Sequence, residues 1–217
     1  MVIQVGAVLA VLPLFRHRIA MLLRWREPAS LDLNLKIFGA FFITAVGGLL
    51  LDKWNFALPE TVQPVATALM VGGVIFILVE SLLKGRNLTA SISWTVVLVV
   101  ALAQLLAAVF PGTSRSGSTI ILAMLFGVTR VMATEFSFLV GIPTLLAAGG
   151  FKIFKALKEG ATEDWGLLAL GAVVAAGVSF LAVKWLLRFV QTHSFVSFGI
   201  YRILCGILLL WLLWPRT

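Results

Sequence analysis

Apolar residues fall in eight runs along the chain, at about 1–15, 35–51, 65–83, 92–110, 119–128, 136–151, 165–183 and 196–214. Most are continuous rather than alternating, and they approach the roughly 20 residues that a helix needs to cross about 30 Å of hydrocarbon. The run at 119–128 does not, because about ten residues are too few to cross as a helix. Just before it lies Pro111-Gly-Thr-Ser-Arg-Ser-Gly-Ser-Thr119, polar and turn-forming but without the length of an extramembrane loop. The pattern therefore predicts a re-entrant helix-loop-helix over about 92–128. It would enter and leave on one side, its tip buried in protein or facing a wet cavity, where irregular backbone is tolerated at membrane depth. Six crossing helices remain, and the expected fold is all-α: a polytopic integral membrane protein forming a single membrane domain over 1–217.

Composition sharpens this. Of 217 residues 61% are hydrophobic and 12% charged, against about a quarter charged in soluble domains, so lipid is the expected solvent. The formal charge of +8 would suggest nucleic acid in a soluble chain. Here basic residues accumulating in cytoplasmic loops account for it, so the expected partners are membrane lipids and no nucleic acid. The predicted topology puts Arg16, Arg18, Arg24, Arg26, Lys84, Arg86, Arg130, Lys184 and Arg188 on one face. Lys53, Lys152, Lys155, Lys158 and Arg216 fall on the other, which makes the first face cytoplasmic and leaves both chain ends outside.

Smaller features fit the same picture. The N-terminus is not expected to be a secretory signal, since its apolar run precedes Arg16, His17 and Arg18 rather than following them. Segment 16–26 mixes arginines with Ile19, Met21, Leu22, Leu23 and Trp25, as an interfacial segment would. Trp54, Trp94, Trp165, Trp185, Trp211 and Trp214 mark span ends. Glycine pairs at 47/48, 72/73 and 149/150 permit close helix packing, and Pro143 should kink its helix. Cys205 is the only cysteine, so no disulfide forms within the chain, and it reads as a small apolar helix residue.

Chemistry concentrates in Pro111–Thr119. An arginine at the bilayer centre costs roughly 2.5–3.5 kcal/mol even on lenient scales, so Arg115 needs compensation. Thr113, Ser114, Ser116, Ser118 and Thr119 can donate hydrogen bonds, and Gly112 and Gly117 let backbone N–H groups approach a ligand. A helix starting near Ser118 or Thr119 would aim its positive end at the same point. Together these describe an oxyanion site. A snorkelling Arg115 in a loop that caps helices is the plainer reading, but it leaves the five hydroxyls and two glycines unexplained.

The stretch Pro111–Ile120 resembles the second signature of the undecaprenyl-diphosphatase family, the bacitracin-resistance proteins, whose pattern is P-G-x-S-R-S-G-x-T. Gln104, Thr134-Glu-Phe-Ser-Phe-Leu139, Ser194-Phe, Ile200-Tyr-Arg202 and Val2-Ile-Gln-Val-Gly6 are similar to family sequence in the same order, so the resemblance covers essentially the whole chain. It implies removal of the terminal phosphate from undecaprenyl diphosphate in the bacterial cytoplasmic (inner) membrane, recycling the lipid carrier for cell-wall synthesis. It also implies an inverted repeat with two re-entrant hairpins, of which this chain carries the larger part. Ser114, Arg115, Ser116 and Thr119 would be the catalytic residues lining the diphosphate site. Hydrolysis needs a nucleophile or an activated water, with a divalent cation, magnesium or calcium, as the expected cofactor, assigned to no residue. A homodimer is the candidate assembly.

The family's first signature, a glutamate-rich helix and P-V-S-S-T-G-H, should precede the Val2–Gly6 helix, and no S-T-G-H occurs in these residues. A truncated gene model, an internal start codon or a degenerate copy would each give that pattern. Other candidate bases are His17 and His193, expected in loops, and Glu80 and Glu135, with Glu135 expected to pair with Arg130. Acid-phosphatase-like lipid phosphatases need a histidine about six residues past the arginine, where this chain has Ile121. The remaining rival is a non-catalytic or transporter-like protein that binds lipid phosphate with the same hairpin.

Overall fold

A computed structural model of the chain describes residues 2–24, 26–53, 61–158 and 165–213. Trp25, Trp54, Trp214 and Arg216 lie outside the described residues, as does the side chain of Trp165. In chain order the helices are α1 (Val2–Val11), a 3-10 turn (Leu12–Phe15), α2 (Arg16–Leu22), α3 (Pro28–Lys53), α4 (Val62–Leu83), α5 (Trp94–Val109), α6 (Arg115–Leu125), α7 (Arg130–Lys158), α8 (Trp165–Thr192) and α9 (Val196–Leu213). Among the described residues the only extended pairing is an isolated bridge between Thr89 and Val128.

Among the described residues six stretches are long and apolar enough to cross a membrane: Ile3–Leu22, Pro28–Leu51, Val62–Leu83, Arg130–Ala156, Gly166–Thr192 and Val196–Leu213. The first joins α1, the 3-10 turn and α2 in one run, so residues 16–22 of the segment expected at the interface continue the helical path begun at Ile3. Pro13 tightens one turn into a 3-10 helix without ending the run, and the helix continues to Leu22. Arg18 is tolerated there because it has a partner, the carboxylate of Glu135, at 2.6 Å. The freed carbonyls at the end of α2 are capped from α3, Ser30 Oγ donating to Met21 O and Asn34 Nδ2 to Leu22 O, each at 2.7 Å.

Helices α5 and α6 form the re-entrant hairpin. At 16 and 11 residues they are about 24 and 17 Å long, so α6 is too short to cross. The two ends of the hairpin meet, which shows that it returns to the side it left: Thr89 N–H donates to Gly127 O and Thr129 N–H to Thr89 O, each at 2.8 Å. Its tip rests against protein. Gly112 turns the chain at a φ of +86°, and a Cβ there would lie 2.6 Å from the carbonyl oxygen of Val65, near the Val62 end of α4. Irregular backbone at membrane depth is thereby shielded from lipid.

Packing elsewhere follows the rule for membranes, where lipid is as apolar as leucine and close backbone approach replaces the hydrophobic drive. Helices α4 and α9 touch at Gly73 and Gly199, where a Cβ on either would sit 2.5 or 2.7 Å from the other's carbonyl oxygen. Of the other glycines expected to pack, Gly47 meets Leu105 whereas Gly48 and Gly150 face open space. The core gathers around the hairpin, with Phe136, Met124, Val96, Val97, Val100 and Val140 all but inaccessible. Helix α8 is the opposite case, exposing Leu167, Leu170, Val173, Val174, Val178 and Leu181 as a lipid-facing helix does.

Candidate active site

The tip is built by ordinary capping chemistry. Helix α5 starts on Ser93, whose hydroxyl accepts from Val96 N–H at 3.3 Å. It ends at Phe110, and Thr113 N–H turns back to Phe110 O at 3.2 Å. Ser114, extended at φ −60° and ψ 118°, is the N-cap of α6 and accepts from Gly117 N–H at 3.2 Å. The helix therefore begins at Arg115, three to four residues earlier than the sequence suggested, and Arg115 occupies its first turn.

That position decides the electrostatics. The first turn of a helix carries a partial positive charge and unpaired N–H groups, so a cation there is unfavourable unless an anion joins it. No carboxylate answers Arg115 among the described residues. One terminal nitrogen donates to the neutral Gln104 Oε1 at 3.3 Å. Gln104 is itself held by donating to Thr44 Oγ1 at 3.0 Å, and Thr44 donates to Ala40 O at 2.8 Å. The guanidinium turns its Nη1–Nη2 edge to α7 at Gly141, where a Cβ would come within 2.7 Å of Nη1. A guanidinium has five N–H donors; this chain of neutral groups orients it and leaves most of its charge unanswered.

Ser114, Arg115 and Ser116 come together at the start of α6, all partly accessible. Thr119 is placed differently. It is buried one turn on, its hydroxyl directed to Arg115 O and Ser116 O at 3.0 Å and bonded to Ser137 Oγ of α7. It fastens the cradle to its neighbour rather than lining it.

Arg202 entered the sequence reading only as part of the Ile200-Tyr-Arg202 match and was given no role at the site. From α9 its Nη2 donates to Gly112 O at 3.2 Å and to Ala68 O at 3.3 Å, and its guanidinium lies 5.5 Å from the Phe76 ring. It is buried, and its Nε has no hydrogen-bond partner. An arginine within an apolar helix was the available signal, since such a residue must face a polar target inside the bundle; which target was invisible, being 90 residues away.

The candidate bases lie elsewhere. Glu80 receives Arg130 Nε at 2.9 Å and Nη2 at 2.6 Å together with Phe195 N–H at 2.7 Å. Glu135 receives Arg18. The expected Arg130–Glu135 pair therefore does not form, because five residues of helix turn the two side chains about 140° apart. Both carboxylates sit at the hairpin base, away from the tip. His17 is exposed near the same end, and His193 stacks on Phe189 at 4.5 Å.

An arginine and two serines at a helix start, on the tip of a re-entrant hairpin in a multi-pass helical membrane protein, define a class with a cationic, hydroxyl-rich site inside its helical bundle. Comparison with known proteins narrows it. The chain belongs to the family described as bacitracin resistance protein BacA, which matches residues 1–208. It is 48% identical over 213 residues to an undecaprenyl-diphosphatase of Rhizobium etli, covering 96% of this chain and 80% of that protein. Proteins of the same name from Xylella fastidiosa and Xanthomonas axonopodis are 46% and 45% identical over 216 residues, with 97% of this chain and 83% and 82% of theirs covered.

Proposed function

We propose that this protein hydrolyses undecaprenyl diphosphate to undecaprenyl phosphate and inorganic phosphate in the bacterial cytoplasmic membrane, recycling the lipid carrier. Water supplies the incoming oxygen, and the bond between the bridging oxygen and the terminal phosphorus breaks. Charge spread over the terminal phosphate oxygens falls to Arg115 and to the free N–H groups of the first turn of α6. Ser114 and Ser116 flank Arg115 in the chain, each with a hydroxyl able to donate to one oxygen. The observation that carries the reading is Arg115 in a helix's first turn with no carboxylate partner among the described residues.

The tip packs near the Val62 end of α4, opposite the arginine-rich end, which by the positive-inside rule is the outer side. Magnesium or calcium is proposed to arrive with the diphosphate rather than to reside in the protein. Among the described residues no three His, Cys, Asp or Glu side chains lie together, and Arg115 would repel a bare cation. A homodimer is the assembly to be tested.

Inorganic phosphate released from undecaprenyl diphosphate by the purified chain tests this directly. Arg115→Ala should lower turnover by about a hundredfold or more, the usual loss for one transition-state donor. Unchanged release in that variant would defeat the assignment. The alternative, a lipid-phosphate binder that does not hydrolyse, draws on Glu80 and Glu135 being engaged by arginines far from the tip. Saturable binding sensitive to Arg115→Ala without any phosphate release would favour it.

A further inference from the structure

At the arginine-rich end of the bundle, across the membrane from the tip, lies a cavity of about 670 Å³. It opens between the inner ends of α4, α7, α8 and α9 and the base of the hairpin, and none of the tip residues line it. A cavity of this size between helices is ample for a small ligand.

Its walls are held in place independently of any ligand. Glu80 ties α4 to Arg130 of α7 and to the backbone of Phe195 before α9, while Thr89 ties the two ends of the hairpin to each other. These bonds also settle its charge. Glu80 is neutralised by Arg130, whereas Lys84 on the rim has no carboxylate partner among the described residues. The cavity is therefore net positive. Ser81, Gln191 and Ser194 add neutral donors around it, and Leu88, Met124 and Val196 give it an apolar wall.

A cationic rim, neutral donors and an apolar wall together select an amphiphile with an anionic head; free phosphate would make no use of the apolar side. The location agrees, since Arg86 and Arg188 add positive potential at the same end, and basic pockets between membrane helices on the cytoplasmic side take anionic lipid headgroups. We propose that this cavity binds the phosphate headgroup of an anionic phospholipid of the inner leaflet, at a site separate from the hydrolytic tip.

Native mass spectrometry of the full chain in detergent, titrated with a six-carbon-chain phosphatidylglycerol, tests this. Phosphatidylcholine of the same chain length and inorganic phosphate serve as comparisons. Phosphatidylglycerol should bind saturably and in preference to both. Lys84→Glu should weaken it by about tenfold, the worth of one charge-assisted contact. Ser194→Trp should abolish it by filling the cavity, and Lys152→Glu at the opposite end should leave it unchanged. Circular dichroism checks that each variant is folded; should Ser194→Trp not fold, Lys84→Glu carries the test alone. Equal binding of phosphatidylcholine, equal occupancy by inorganic phosphate, or indifference to Lys84→Glu would each overturn the proposal.

Discussion

Gly117 shows how tightly the cradle is drawn at the scale of one residue. Its N–H is the bond that lets Ser114 cap α6, and a Cβ added there would lie 2.7 Å from Phe76 Cζ and 3.1 Å from Ser114 Oγ. The Phe76 ring is buried and also faces the Arg202 guanidinium, so it has little room to retreat. Gly117→Ala should therefore cost roughly 1–3 kcal/mol in overpacking, read as a lower melting temperature in detergent. It should also depress phosphate release by displacing the Ser114 hydroxyl. The presence of glycine at 117 was legible in the sequence. Its reason was not, because the atoms that exclude a side chain belong partly to α4, 41 positions away.

At the scale of elements, the tip of the α5–α6 hairpin is anchored by α9. Arg202 reaches Gly112 O and Ala68 O with the same nitrogen, so one side chain fixes the hairpin tip against α4. Removing it withdraws a hydrogen bond from a charged donor, worth about 1.5–3 kcal/mol, and lets the tip drift from the position that Gln104 and Gly141 define for Arg115. Arg202→Ala should lower kcat by roughly tenfold to a hundredfold with a smaller change in KM. Arg202→Lys, which keeps a donor and a cation near the Phe76 ring, should recover part of it. Equal losses in the two variants, tracking a loss of folded protein, would reduce Arg202 to a packing role. The re-entrant hairpin itself was legible because ten apolar residues cannot cross a bilayer. The start of α6 was misplaced because Ser114, Ser116 and Ser118 are all competent caps by type, and only the bond from Gly117 N–H selects the first.

For the molecule as a whole, the ion pairs at the arginine-rich end hold the spans in register. Glu80 with Arg130 and Phe195 N–H joins three elements, and Arg18 with Glu135 joins two. The Glu80 side chain is 7% exposed and Arg130 29%, so the pair is partly desolvated and breaking it leaves a charge without a partner. Glu80→Leu should lower the melting temperature, by an amount corresponding to roughly 1.5–3 kcal/mol. The double variant Glu80→Leu/Arg130→Leu should regain part of that loss, since two apolar groups leave no orphan charge. A double variant no more stable than Glu80→Leu alone would remove the pair from this account.

The sequence by itself determined the solvent, the number of helices able to cross, the re-entrant segment and the clustering of arginine, hydroxyls and glycines at 111–119. Each is a matter of local composition or of length measured against a membrane of known thickness. Only the tertiary structure decided which charges meet. It gave Glu135 to Arg18 and Glu80 to Arg130, left Arg115 to a neutral glutamine and brought Arg202 to the tip. Partners in a helical bundle are chosen by which faces the packing turns together. That depends on glycine contacts and helix crossings far apart in the chain, and spacing along one helix does not contain it.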